Sequence, residues 1–146
     1  MEKITHVGVL VRDLDAAIEQ WCTLLGLQLV KRLDVPQEGV YSAFLSCDGN
    51  VRGFFVELVT PMHPDDPDNT VAKRLRDHGE GLLILAMIEP DLAQARARLD
   101  AAGVRYAANA PVTDSGDARL IVSPKSTNGV LLEILSTREW SNIWRD

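Results

Sequence analysis

The sequence predicts an α+β fold in which two tandem βαβββ modules form a curved-sheet cleft. Three observations lead to this prediction. First, the order strand, helix and three strands occurs twice within the 146 residues. Second, an aspartate stands in the N-cap position before the helix of each copy. Third, each copy ends in an apolar strand with one glutamate in its middle, Glu57 in the first copy and Glu133 in the second.

The first module is expected over residues 1–60. Residues 4–11 form an apolar run that is typical of a strand. Asp13 then caps a helix whose apolar side chains recur at helical spacing, and Gly26 ends that helix. Three further strands are predicted at 27–33, 40–45 and 54–60.

The second module is expected over residues 82–136, after a linker at 61–81 that is rich in proline and aspartate at its start. The linker contains a short helix at 70–78. Asp91 caps the helix of the second module, and Gly103 ends it. Strands follow near 104–107, 118–122 and 130–135, with a long polar loop at 108–117.

The C-terminal tail, 137–146, carries one apolar helical face. Trp140, Ile143 and Trp144 stand at positions i, i+3 and i+4. We expect this face to pack on the body of the protein. A lid or a subunit contact is the alternative.

The spacing within the two copies indicates an internal repeat. His6 stands seven residues before Asp13, and Ile84 stands seven residues before Asp91. The central glutamates follow His6 and Ile84 by 51 and 49 residues. We therefore expect the two glutamates to be equivalent and to converge with His6 in the concavity of the sheet. Ile84 takes the fourth position, and its side chain is apolar.

Composition excludes several classes of partner. The chain has a net charge of −6 and shows no basic stripe, which argues against nucleic acid and anionic membranes. No apolar run is long enough to span a bilayer, and the first residues do not form a signal peptide. Cys22 and Cys47 are too few for a disulfide framework. We expect a cytoplasmic protein with a small-molecule substrate.

A carboxylate within an apolar strand must be compensated, because its burial is costly. Two interpretations of His6, Glu57 and Glu133 are open. In the first, the histidine and the two carboxylates bind a metal ion, either one that prefers oxygen ligands or an iron ion of the non-haem type. Alternatively, an imidazolium at His6 bridges the two glutamates in a metal-free ionic network.

Several motifs resemble one known family over residues 4–136. They are Thr5-His6-Val7-Gly8-Val9, Asp13-Leu14-Asp15-Ala16-Ala17, Leu25-Gly26-Leu27, Val56-Glu57-Leu58, Asn69-Thr70-Val71-Ala72-Lys73, Gly79-Glu80-Gly81 and the run from Ser123 to Glu133. In this order and spacing the chain resembles the vicinal oxygen chelate superfamily, the glyoxalase I and methylmalonyl-CoA epimerase group. Among these proteins it is most similar to the epimerases.

The resemblance implies paired βαβββ modules, a divalent metal ion and a homodimer. The implied metal ligands are His6, Glu57 and Glu133. The epimerases have a His-His pair where this chain has Leu83-Ile84, so the fourth ligand is missing.

The resemblance also implies a chemistry. The expected function is that of an isomerase or lyase which abstracts a proton next to a carbonyl of a small acyl thioester or oxyacid, through an enolate. Glu133 is the expected base. Ser42 occupies a strand position where some epimerases carry a catalytic glutamate, and Lys125 can meet an anionic group; both are expected at the substrate. The alternatives are a metal-free small-molecule-binding protein of the antibiotic-sequestering type and another lyase or isomerase of a biosynthetic pathway.

Overall fold

The structure is a computed structural model that describes residues 1–145. Asp146, the last residue of the predicted tail, lies outside the described residues. The described chain forms two compact units: residues 6–82, and residues 1–5 together with 83 onward. Each unit combines helices with β-strands, so the predicted α+β class and the two βαβββ modules are confirmed.

The first module has its strands in the order β2-β3-β4-β1. β1 and β4 are parallel, whereas β3 is antiparallel to both β2 and β4. The elements are β1 (Lys3–Leu10), α1 (Leu14–Leu25), β2 (Gln28–Val35), β3 (Val40–Ser46), β4 (Phe55–Pro61) and α2 (Thr70–His78).

Local signals explain where the first two helices begin and end. The Asp13 side chain accepts a hydrogen bond from the Ala16 N–H, and that of Asn69 accepts one from the Ala72 N–H. Gly26 follows α1 with φ of +68°, a left-handed conformation that glycine adopts without the steric cost of a Cβ. α1 then packs on the sheet through a buried apolar cluster that includes Val9, Leu14, Ala17, Leu45 and Leu58.

The second module has the strand order β5-β8-β7-β6, with β5 and β8 parallel. Its elements are β5 (Gly81–Ile88), α3 (Leu92–Ala101), β6 (Tyr106–Asn109), β7 (Arg119–Val122), a 3-10 turn at Pro124–Ser126, β8 (Leu131–Leu135) and α4 (Thr137–Ile143). Asp91 caps α3, as expected. The buried core of this module centres on Ala95, Leu120, Val122 and Ile134.

Strand registers confirm the repeat. Glu57 is paired with Gly8 across β4 and β1, and Glu133 is paired with Ala86 across β8 and β5. Two residues earlier on the first strand of each module stand His6 and Ile84. The two glutamates therefore occupy equivalent positions, each in a parallel strand pair.

The tail forms α4 and packs through its apolar face. Trp140 and Ile143 are buried, and the Trp140 ring meets Trp144 edge to face at 5.2 Å. The expectation that this face packs on the body is met within the described residues.

Candidate active site

His6 and Glu57 form a close pair on neighbouring strands of the first module. His6 Nε2 lies 3.0 Å from Glu57 Oε2. The His6 side chain is 2% exposed and that of Glu57 is 13% exposed. The Phe44 ring meets His6 edge to face, with 5.3 Å between ring centroids. The imidazole is therefore held in one orientation beside the carboxylate.

This pair suits two neighbouring ligand positions of a metal ion. Ligand atoms at adjacent corners of an octahedron with bonds of about 2.1 Å lie roughly 3 Å apart. The Nε2–Oε2 separation of 3.0 Å matches that value. The donor types, an imidazole nitrogen and a carboxylate oxygen, also suit divalent ions.

The equivalent positions of the second module do not provide a nitrogen donor. Leu83 and Ile84 are apolar and buried in β5, with relative exposures of 6% and 8%. They contribute to packing and cannot bind an ion.

Glu133 is compensated by Arg119, a cation that the sequence analysis did not identify. Arg119 Nη1 donates a hydrogen bond of 2.9 Å to Glu133 Oε1. The Arg119 side chain is 2% exposed, and the Glu133 side chain is 13% exposed. A charge-assisted bond of this length stabilises the ionised carboxylate, which removes the need for a metal to balance its charge. An ion at Glu133 would also have to compete with the guanidinium.

The repeat shows that Arg119 occupies the place of Ser42. Ile121 is opposite Glu133 in the second module, as Phe44 is opposite Glu57 in the first. Arg119 and Ser42 each stand two residues earlier on the same face of their strand. A side chain two residues from the cross-strand partner is within diagonal reach when it is as long as arginine. The sequence contains one signal for this role. Arg119 is the only cation in a short apolar strand, and it stands at the position of the second copy that corresponds to Ser42 in the first.

Ser42 and Lys125, the two predicted substrate contacts, lie in different environments. The Ser42 side chain is buried, and its hydroxyl donates a hydrogen bond of 3.2 Å to the Leu33 carbonyl. Lys125 is exposed in the 3-10 turn that precedes β8. Only Lys125 therefore presents its polar group at the surface, and the roles of both residues stay predictions.

The described residues fit a metal at His6 and Glu57 more readily than at Glu133. Among residues 1–145, no group of three or more His, Cys, Asp or Glu side chains is arranged to hold an ion. The ligand set His6, Glu57 and Glu133 therefore stays a prediction.

A surface pocket of about 530 Å³ lies at the N-terminus of α1. Two of its charged groups form an ion pair, since Arg32 Nη1 lies 2.6 Å from Asp15 Oδ1. It contains neither His6 nor Glu57. The residues that line it are Arg12, Asp13, Leu14, Asp15, Arg32, Asp34, Tyr41, Thr60 and Pro61.

None of the helices within residues 1–145 has both the length and the apolar character that a membrane span requires.

Comparisons with known proteins support the resemblance to the epimerases. An ethylmalonyl-CoA/methylmalonyl-CoA epimerase of Cereibacter sphaeroides is 30% identical over 135 residues, which are 90% of this chain and 96% of that protein. The crystal structure of methylmalonyl-CoA epimerase from Mycobacterium tuberculosis superposes with a TM-score of 0.76 at 30% identity, over 91% of this chain and 86% of that chain.

A variant of Streptomyces coelicolor methylmalonyl-CoA epimerase in complex with 2-nitronate-propionyl-CoA also superposes with a TM-score of 0.76. It is 27% identical, and the match covers 92% of this chain and 96% of that chain. The model of the glyoxalase/bleomycin resistance protein/dioxygenase superfamily matches residues 5–121. The chain belongs to this superfamily, the vicinal oxygen chelate group, and has methylmalonyl-CoA epimerases among its relatives.

Proposed function

We propose that this protein is an isomerase that abstracts the proton next to the carbonyl of a small acyl-CoA thioester. The relatives named for ethylmalonyl-CoA and methylmalonyl-CoA support this substrate class. The single observation that carries the proposal is the Glu133 side chain, which stays partly exposed in an apolar strand at 2.9 Å from a buried guanidinium.

Glu133 is the base in this proposal. Its carboxylate takes the α-proton, the C–H electron pair passes into the enolate, and Glu133 becomes a neutral acid. The negative charge thus moves from Glu133 to the thioester oxygen while the positive charge of Arg119 stays in place. Arg119 provides fixed positive charge near the developing enolate, where a preorganised charge is most effective.

Return of the proton decides the stereochemical outcome. Delivery by Glu133 to the same face regenerates the substrate with solvent hydrogen in place of the original one. Inversion requires an acid on the opposite face, and Ser42 stands where some epimerases have a glutamate for this purpose. Exchange of the α-hydrogen with solvent is therefore the reaction that one base is sufficient to catalyse, and it is the first activity to measure.

Lys125 is proposed to contact an anionic group of the substrate. It is exposed in the 3-10 turn that precedes β8, and β8 is the strand that carries Glu133. A CoA phosphate or the free carboxylate of a malonyl-type acyl group has the complementary charge.

A second candidate function is a binding protein without turnover. Leu83 and Ile84, which replace the histidine pair, favour it because they remove the metal donors of the second module. The Arg119–Glu133 pair is also consistent with it, since a neutralised carboxylate can serve as a structural group.

The two functions are separated by incubating the wild-type protein in D2O with a panel of acyl-CoA thioesters. The panel includes methylmalonyl-CoA, ethylmalonyl-CoA and a thioester without an acidic α-proton as the control. Loss of the α-proton is followed by NMR against a protein-free blank, and binding is followed by thermal stabilisation. Exchange above the blank supports the isomerase. Stabilisation by panel members without any exchange contradicts the isomerase and favours the binding protein.

A further inference from the structure

Helix α4 begins with a capping-box sequence, and its glutamate does not close the box. Ser136 and Glu139 stand at the N-cap and N3 positions, and the Ser136 hydroxyl accepts a hydrogen bond of 2.9 Å from the Glu139 N–H. In a complete capping box the glutamate side chain returns to the N-cap N–H. Here the carboxylate extends instead to the loop at 110–117, which joins β6 to β7.

The Glu139 carboxylate accepts three hydrogen bonds from this loop. Its Oε1 accepts hydrogen bonds from the Val112 N–H at 2.6 Å and the Thr113 N–H at 3.2 Å, and its Oε2 accepts one from Thr113 Oγ1 at 2.7 Å. The residue is fully buried. A buried carboxylate is stable only when its lone pairs are satisfied, so the loop and the carboxylate are mutually dependent.

Helix α4 anchors the same loop at two further places. The Asn142 amide donates to Thr113 Oγ1 at 3.3 Å and to Ser115 Oγ at 3.2 Å. Ser136 Oγ donates to Asp117 Oδ2 at 2.5 Å, and the Arg138 guanidinium also bonds Asp117. These bonds, Ser136 first, hold the pKa of Asp117 below its ordinary value.

The first residue of the loop is bonded to the guanidinium that holds Glu133. The Ala110 carbonyl accepts hydrogen bonds from Arg119 Nε at 3.1 Å and from Arg119 Nη2 at 3.0 Å. Arg119 Nη1 then donates to Glu133. The plane of the guanidinium is thus fixed by the loop on one side and by Glu133 on the other.

We propose that Glu139 is a positioning residue for the Arg119–Glu133 pair. Through Val112 and Thr113 it fixes the loop, the loop fixes the Ala110 carbonyl, and that carbonyl orients Arg119. The effect on turnover rests on the proposed function of Glu133; the effect on Arg119 does not.

The test compares Glu139→Gln with Glu19→Gln, an exposed glutamate of α1 as the matched control. Glutamine keeps the shape of the side chain and replaces one acceptor oxygen with a donor. NMR of 15N-labelled protein follows the Val112 and Thr113 amides and the Arg119 Nε–H. In Glu139→Gln we expect shifts of both amides and exchange of the Arg119 Nε–H with solvent that is faster by about tenfold or more. The Glu19→Gln spectrum should remain unchanged at these signals.

Kinetics provide the second readout. If the wild-type protein catalyses α-proton exchange, Glu139→Gln should lower kcat by roughly 10- to 100-fold with little change in KM, because a misplaced base affects the chemical step. A Glu139→Gln variant that is less stable than wild type but has an unchanged kcat would contradict the positioning role.

A milder variant keeps the proposal testable if Glu139→Gln does not fold. Thr113→Val removes one of the three bonds to Glu139, together with the Asn142 bond to Thr113 Oγ1, and leaves both backbone donors. It should show the same faster Arg119 Nε–H exchange to a smaller extent. Unchanged Arg119 exchange in either folded variant overturns the positioning role. Absence of substrate exchange in the wild-type protein overturns the isomerase proposal and leaves the NMR result independent of it.

Discussion

Glu133 carries a negative charge between apolar neighbours, and Arg119 is the residue that compensates it. The sequence indicated correctly that this carboxylate needed a partner, because the cost of burying a charge is independent of the fold. The sequence predicts a metal ion or His6 as this partner. It does not indicate Arg119, because the distance from Arg119 to Glu133 depends on the β7–β8 register and on the diagonal reach of the arginine side chain.

Removal of Arg119 should reveal the strength of this pair. Arg119→Met leaves the Glu133 carboxylate without its guanidinium and should lower the free energy of unfolding by about 2–4 kcal/mol. Glu133→Leu in the same chain should recover much of that loss, since the stranded charge is then absent. Urea unfolding of both single variants and of the double variant measures the coupling. Additive effects of the two substitutions would contradict a direct pair.

Glu89 shows how an ion pair of a buried carboxylate with a half-exposed guanidinium makes stability depend on pH. The Arg98 guanidinium at 2.7 Å, assisted by the Asp91 N–H and opposed by burial, lowers the pKa of Glu89 from 4.5 to about 2. Because the folded pKa is below the unfolded one, the stabilisation is present above pH 4.5 and is lost as the pH falls towards 2.

Glu89→Gln should therefore cost on the order of 2 kcal/mol near pH 7, a value reduced for the exposure of Arg98. The difference in unfolding free energy between variant and wild type should diminish between pH 4.5 and 2. Chemical denaturation over this pH range measures it. A difference that is constant with pH would show that Glu89 does not titrate as stated.

At the scale of elements, helices with local capping signals were predicted best. Helix α2 spans 70–78 as expected, because Asn69 and Gly79 determine its ends within the sequence. Strand ends moved by one to two residues, as at β6, which spans Tyr106–Asn109 where 104–107 was expected. Strand ends depend on pairing with distant residues, which the local sequence does not contain.

The 110–117 loop could not be predicted because distant side chains hold it. Glu139, Asn142 and Arg119 all bond to it from elements that follow it in sequence. The sequence identified the segment only as long and polar. Its conformation is a tertiary property.

Gly116 tests how closely this loop fits against α4. A Cβ at Gly116 would lie 1.5 Å from Glu139 Oε2 and 2.5 Å from Thr113 Oγ1, so Gly116→Ala should destabilise the fold by about 1–3 kcal/mol. Gly53→Ala is the matched control, because the nearest atom there is 3.5 Å away. Thermal or urea unfolding of both variants compares them. Equal free energies of unfolding for Gly116→Ala and Gly53→Ala would show that the loop accommodates the added methyl group without destabilising the fold.

At the scale of the whole molecule, the two modules share a topology and differ in their chemistry. Each has a parallel strand pair in which the later strand carries the equivalent glutamate. The first places His6 and Ser42 near its glutamate, and the second places Ile84 and Arg119 at the equivalent positions. The periodicity of the sequence is sufficient to predict the shared topology. The different surroundings of the two glutamates follow only from the pairing registers of the strands.

The predicted homodimer can be measured directly. Sedimentation equilibrium of the purified protein should give twice the 16.1 kDa mass of the chain. A mass equal to that of one chain at micromolar concentration would contradict the prediction.

The most direct test of the proposed chemistry is loss of the α-proton of methylmalonyl-CoA in D2O, measured for wild type, Glu133→Gln and the control Glu19→Gln. We predict that wild type and Glu19→Gln exchange the proton at equal rates well above the protein-free blank. Folded Glu133→Gln should be slower by about 100-fold or more, the range expected for loss of a general base. Exchange by Glu133→Gln at the wild-type rate would contradict the assignment of Glu133 as the base.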